Sequence, residues 1–216
     1  MNDPLPSKPP PRWRAQRALL VAITVSSLLP MLLGGCAPLI LGAAVLGTGV
    51  VVTDRRTTGM QLEDRAIENK GEARAKELAT LGRINVTSYN RTALITGEVP
   101  GESERAAVEK AVSGVENVRA VVNELVVAPN LSVSQRSGDS LLGARVKASL
   151  LDAKDVAANA YRVIAERGVV YLMGRVTERE AGRAVELARS VSGVVKVVRV
   201  LDILTEEELA AMTGKK

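Results

Sequence analysis

The residues able to do chemistry are few. Histidine and phenylalanine are absent from the 216 residues, cysteine occurs once, at Cys36, and the only tryptophan is Trp13. Without histidine the usual near-neutral base is missing, and neither a Ser-His nor a Cys-His pair can be assembled. A zinc site would lack both His and a second Cys. Carboxylates are numerous, but Glu102, Glu104 and Glu109 fall in a helical run where they read as a solvated face rather than an acid-base pair. With Tyr89, Tyr161 and Tyr171 as the remaining aromatics, a base-stacking platform is hard to build. The sequence therefore predicts no enzyme, no catalytic residue, no metal, no cofactor, no small-molecule substrate and no nucleic acid. What is left is Cys36, which as a lone thiol is a free thiol, a nucleophile, half of an intermolecular disulfide or an attachment point.

Its neighbours decide among these. Lys8, Arg12, Arg14 and Arg17 stand in a proline-rich stretch, and Ala18 to Leu33 carries no charge. A basic region, an apolar run and then small residues make a secretory signal. Leu33-Gly34-Gly35-Cys36 resembles the lipobox of bacterial lipoproteins. That resemblance implies a diacylglycerol on the Cys36 thiol, cleavage after residue 35 and acylation of the new amino terminus. Several acyl chains, at about 0.8 kcal/mol per buried methylene, hold a protein on a membrane almost permanently. In such lipoproteins Asp after the cysteine favours the inner membrane. Ala37 stands there, which implies the outer membrane of a Gram-negative cell, facing the periplasm. The alternative is an inert thiol beside an uncleaved membrane helix, which Pro30 and Gly34-Gly35 would weaken and whose apolar run is shorter than the ~20 residues a span needs.

Charge then has to be counted on the mature chain. The full sequence has 29 basic and 24 acidic residues, and the segment 1 to 35 holds four of the former and one of the latter. The mature excess is small, so the basic balance of the whole chain is no argument for nucleic acid. Pro38 to Thr53 is apolar, β-branched and interrupted by Gly42, Gly47 and Gly49, and reads as a tether extending over 36 to 60, or as a strand docked on the folded part.

Beyond the tether the chain repeats. Residues 95 to 127 set beside 172 to 204 put Gly97 on Gly174, Val99 on Val176 and Ser113-Gly114-Val115 on Ser192-Gly193-Val194, with the first helix shorter by two residues. Val115 and Val194 are on this reading equivalent buried positions, like Val99 and Val176. Two units follow, 61 to 128 and 139 to 205, separated by a linker at 129 to 138 and followed by a tail or short helix at 206 to 216. In the second, Leu142, Val146 and Leu150 mark a helix capped by Asp139 or Ser140. Two β-rich runs broken by Glu166-Arg167-Gly168 predict a hairpin, and Thr177 with Glu180 predicts a capping box. Gly193 ends the second helix before a last valine-rich strand. The predicted fold class is α+β: each unit runs α-β-β-α-β, with a three-stranded mixed sheet covered on one face by two helices. The leading helix of the first unit, within Gln61 to Leu81, is the element with the weakest pattern.

A strand ending in Gly, Val-Thr or Val-Pro, an alanine-spaced helix and Ser-Gly-Val before a valine strand resembles the BON domain. Two such domains behind a lipobox, together with TDRRTTG (53 to 59), RINVTSYN (83 to 90), SGDSLLGARVKASLL (137 to 151) and VYLMGRVTEREA (170 to 181), resemble the dual-BON outer-membrane lipoproteins. The resemblance implies a non-enzymatic, lipid-anchored periplasmic module that supports outer-membrane integrity. It also implies binding of anionic phospholipid through the first helix of the second domain, Ser140 to Leu151. On that helix the spacing turns Leu142, Val146 and Leu150 to the sheet and leaves Leu141 and Arg145 on one flank and Lys147 on the other, and Leu141, Leu142, Arg145 and Lys147 are the expected contact residues. Leu141 stands where a tryptophan is usual in that family, and lacks the amphipathic ring suited to the headgroup level. The charges agree in sense: residues 61 to 127 hold 9 basic and 11 acidic side chains, residues 138 to 204 hold 11 and 8. A second class of function, an adaptor gripping envelope-assembly proteins, fits the same composition.

Overall fold

The structure is a computed structural model, and it describes residues 54 to 79 and 81 to 213. Cys36 and the tether up to Thr53 lie outside the described residues. The elements are α1 (Thr58–Leu78), β1 (Arg83–Tyr89), β2 (Thr92–Val99), α2 (Glu102–Ser113), β3 (Ala120–Val127), α3 (Val133–Asp152), β4 (Tyr161–Glu166), β5 (Val169–Thr177), α4 (Glu178–Ser190), β6 (Lys196–Leu204) and α5 (Glu206–Thr213). A 3₁₀ turn, Ala158–Ala160, leads into β4. The sheets are ordered β1-β2-β3 and β4-β5-β6. In each, the hairpin pair is antiparallel and the crossover pair parallel. This is the α-β-β-α-β order expected of both units.

The two hairpins are closed by the same device. Asn90 and Arg91, then Arg167 and Gly168, all have positive φ, as two-residue turns that follow the strand twist require. In the first unit the buried Asp64 of α1 accepts hydrogen bonds from the amides of Asn90 and Arg91 at 2.8 Å each. In the second, Asp139 of α3 accepts from Arg167 N at 2.9 Å and Gly168 N at 3.0 Å. A carboxylate spanning two turn amides offsets the cost of the left-handed backbone at Asn90, Arg91 and Arg167. Asp139 is thus a hairpin clamp and not the helix cap. The cap is Ser132, whose side chain accepts from Gln135 N while Gln135 returns the bond to Ser132 N. The helix starts at Val133, so 133 to 138 is helical where a linker was expected.

The register of the repeat is also corrected. Gly97 and Gly174 are equivalent, but past the second helix the matching pair is Asn117 and Gly193, which both have positive φ. Val115 therefore corresponds to Val191, and Val118 to Val194, as the parallel turn bonds Val118 N to Val115 O and Val194 N to Val191 O show. The Ser-Gly-Val match is three residues out of register. Asn tolerates the left-handed conformation, so the turn's position is not marked by glycine in the first copy. Accordingly Val115 is buried while Val194 is half-buried, whereas Val99 and Val176 are both buried.

Each helix pair packs on one face of its sheet. Ile67 and Ala75 of α1, with Val108 and Val112 of α2, build one core, and Leu142, Val146 and Leu150 of α3, with Ala181, Ala184 and Ala188 of α4, build the other. The opposite faces meet each other through Tyr89 and Leu94 of the first unit and Tyr171, Met173 and Val200 of the second. Around this seam, Glu98, with no exposed surface, takes Arg83 Nε and Arg167 Nε at 3.1 Å each. Arg83 also pairs with Glu166, whose carboxyl is pushed up by its burial. Every described residue of the three cores lies between Ile67 and Leu201, so a chain starting at Asp54 holds all of them.

Candidate membrane-binding site

Helix α3 is apolar on two opposite faces. Leu142, Val146 and Leu150 point into the core and are at most 4 % exposed. On the outward face Leu141 is 65 % and Leu151 57 % exposed, and Ala144 and Ala148 between them are exposed as well. Their spacing of three, four and three residues makes one stripe on the helix. A helix needs one apolar face to fold onto a sheet. The second has no partner among the described residues.

The structure separates the four predicted contact residues. Leu141 and Arg145 are exposed on adjacent positions of the outward face. Leu142 is a core residue, and what it does for the site is hold the helix. Lys147 is half-buried, and its ammonium donates to Ala158 O at 2.6 Å and Tyr161 O at 2.9 Å. Burial holds its pKa below the usual lysine value, opposed by the nearby Asp54 carboxylate. Lys147 thus fastens α3 to the 3₁₀ turn and β4. Leu151 and the alanines are the residues that sequence reasoning missed. Their signal is visible once the core stripe is subtracted: the remaining face of α3 still carries apolar residues at helical spacing.

A groove of about 700 Å³ runs between α3 and β4 and is lined by Asp54, Arg56, Tyr89, Lys147, Tyr161 and Arg162 among others. Its cations are already committed. Arg56 pairs with Asp54 at 2.8 Å and with Asp64 at 2.9 Å and lies over the Tyr89 ring, 4.0 Å from its centre. Arg162 pairs with Glu68. The Tyr89 hydroxyl, buried beside Asp54, is pushed up to about 12. The groove offers a ligand few spare donors. Among the described residues there is no group of three His, Cys, Asp or Glu side chains that could hold a metal ion.

Comparison with known proteins fits this architecture. The BON domain model matches residues 71–129 and 138–205. The chain belongs to the BON-domain family. It is 38 % identical over 175 residues to the outer membrane lipoprotein DolP of Haemophilus influenzae, covering 80 % of this chain and 90 % of that one. It is 34 % identical over 155 residues to a protein named 21 kDa hemolysin from Actinobacillus pleuropneumoniae, covering 69 % and 78 %. It is 31 % identical over 117 residues to the osmotically-inducible protein Y of Escherichia coli, covering 53 % and 58 %. The chain is a dual-BON protein of the DolP type, and its place is the outer membrane. No helix of the described residues is long and apolar enough to cross a membrane. In these terms α1 to β3 is BON1, α3 to β6 is BON2, and the doubly apolar helix is the first of BON2.

Proposed function

We propose that this protein is a non-enzymatic, lipid-anchored module whose BON2 domain lays the outward face of α3 on an anionic phospholipid surface, and that it thereby supports outer-membrane integrity. The observation that carries the reading is the stripe Leu141, Ala144, Ala148 and Leu151, exposed on a helix whose other face is already buried, with Arg145 beside it. An apolar stripe flanked by a cation suits the boundary between headgroups and acyl chains. Lys147 and Leu142 hold the helix in place for this contact. BON1 has no matching face, because Ala66, the counterpart of Leu141, and Lys70, the counterpart of Arg145, lie in the more acidic unit.

The test uses the chain from Asp54 onward and vesicles with no other protein present. Arg145→Glu is expected to weaken binding to phosphatidylglycerol vesicles on the order of tenfold at low salt and clearly less at high salt, since each cation near the surface contributes about 1 kcal/mol that salt screens. Leu141→Ala is expected to weaken it by a similar factor at both salt concentrations, because apolar burial is little screened. Unchanged binding in both variants would move the site off α3 and favour an adaptor for envelope-assembly proteins.

The anchor reading rests on the sequence around Cys36. Cys36→Ser is expected to leave an unprocessed or soluble form, and mass spectrometry of membrane-extracted wild type is expected to find an acylated Cys36 as the first residue. An unmodified thiol, or an intact 1 to 35 segment, would contradict it.

A further inference from the structure

The turn between α4 and β6 continues the outward face of α3. The two are mechanically one piece: Val195 N donates to Gly168 O at 2.9 Å, Gly168 N donates to Asp139 at 3.0 Å, and Asp139 is two residues from Leu141. Gly193 lies under the Arg145 side chain, since a Cβ placed there would be 3.5 Å from Arg145 Nη2 and 3.5 Å from Leu142 Cδ1. At this corner Val195 is 80 % exposed, and Lys196 beside it is exposed as well. Val195 touches BON2 only over Gly168, where a Cβ would lie 3.0 Å from its Cγ2, and leaves most of its apolar surface to solvent next to cations.

The internal repeat supplies a comparison within one molecule. In BON1 the helix cation at this place is Lys70, and it pairs at 3.1 Å with Glu116 of the equivalent turn. In the corrected register Glu116 corresponds to Ser192, and Lys70 to Arg145. The partner carboxylate has therefore been replaced by a hydroxyl, and Arg145 has no ion pair among the described residues. The residue matching Val195 is Arg119, which is directed to BON2, 3.7 Å from Asp202. The corner that is neutralised and polar in BON1 is cationic and apolar in BON2.

We infer that residues 192 to 196 form a second arm of the membrane surface, in which Val195 inserts beside Leu141 while Arg145, Ser192 and Lys196 receive the phosphate of an anionic phospholipid. Charge complementarity commits the occupant: two cations without carboxylate partners among the described residues, around two exposed apolar side chains, match a bilayer of negative surface charge. The inference rests on the α3 reading above and adds the turn to it.

The chain from Asp54 contains no cysteine, so single Leu141→Cys, Val195→Cys and Arg119→Cys variants can each carry one environment-sensitive fluorophore. With phosphatidylglycerol vesicles, the labels at 141 and 195 are expected to shift to the blue and to become shielded from an aqueous quencher, and the label at 119 to stay wet. Shielding at 141 with a wet label at 195 would overturn the second arm and leave the α3 reading standing. Wet labels at both positions, or shielding at 195 alone, would overturn both readings. Equal shielding at 195 by phosphatidylcholine vesicles would overturn the anionic part. In the unlabelled chain Lys196→Glu is expected to reduce partition into phosphatidylglycerol vesicles on the order of tenfold, and unchanged partition would also overturn the inference. Free inorganic phosphate that competes fully with the vesicles would show a headgroup-sized anion site without insertion, which overturns the role of Val195.

Discussion

Arg55→Ala is expected to destabilise the folded chain by about 3 to 5 kcal/mol, the cost of leaving one partner of a buried ion pair without the other. Arg55 lies in the strap before α1 and reaches across to BON2. Its two terminal nitrogens donate to the two oxygens of Glu180 at 2.7 and 2.8 Å, and one of them also to Arg175 O at 2.9 Å. The paired side chains are 9 % and 7 % exposed. Burial alone would raise the Glu180 carboxyl, but the Arg55 bonds and the Thr177 amide outweigh it and hold the group below its ordinary value of 4.5. A carboxyl lowered on folding stabilises above its unfolded pKa, and that contribution is lost as pH falls through the folded one. Wild type should therefore lose stability below about pH 4.5 more steeply than Arg55→Ala does. Urea unfolding of the chain from Asp54 checks the magnitude, and the same titration at falling pH checks the sign. Arg55→Met combined with Glu180→Gln should recover much of the loss, because no buried charge then remains unpaired. A loss below about 1 kcal/mol in Arg55→Ala would mean that the strap is not a fixed part of the fold.

Gly97→Ala is expected to be more damaging still, at over about 4 kcal/mol, which is beyond the usual range for a point substitution. Gly97 has φ of 122°, and a Cβ built there would sit 1.9 Å from Arg83 O, on the backbone of the strand it pairs with. Neither the conformation nor the contact can relax without parting β1 from β2. The equivalent Gly174→Ala would bring its Cβ to 2.4 Å from Ala160 O and should also be severe. Gly182→Ala in α4 is the control: a Cβ there has nothing within 4 Å, and a helical alanine is expected to stabilise by about 0.5 to 1 kcal/mol. Circular dichroism and urea unfolding of the three variants test this order, and a Gly97→Ala chain as stable as wild type would contradict the strand pairing.

These glycines mark how much of the fold can be read in the sequence. Gly97 and Gly174 align because both stand at a backbone crossing that admits no side chain, and the hairpin and the Thr177 capping box are equally local devices. The register past the second helix could not be read in the same way. The left-handed turn is filled by Asn117 in one copy and Gly193 in the other, and a chance Ser-Gly-Val match lies three residues away. Helix α1 has little pattern for a packing reason. Its core face is Ile67, Gly71 and Ala75, where α3 has Leu142, Val146 and Leu150, and a Cβ on Gly71 would already lie 3.0 Å from Val86 Cγ1. The start of α3 was obscured because Asp139 looks like a cap and is spent on the hairpin instead.

The candidate site was half legible. Leu141 and Arg145 are exposed on α3 as expected, and the spacing of Leu142, Val146 and Leu150 already turned Leu142 to the sheet, where the structure buries it and removes it from the contact residues. Spacing put Lys147 on the flank opposite Arg145, but no local pattern could show that its ammonium is consumed by two carbonyls from a segment over ten residues away in sequence. The seam of Tyr89, Leu94, Tyr171, Met173 and Val200 depends on two sheets meeting, a tertiary fact that no local period encodes.

The most direct measurement is flotation of the wild-type chain from Asp54, without its anchor and without any other protein, on vesicles of phosphatidylglycerol mixed into phosphatidylcholine, compared with phosphatidylcholine alone. The account predicts that the chain floats with the anionic vesicles, more so at low salt, and stays behind with the neutral ones. A chain that floats with neither, or equally with both, would contradict the claim that BON2 reads an anionic phospholipid surface.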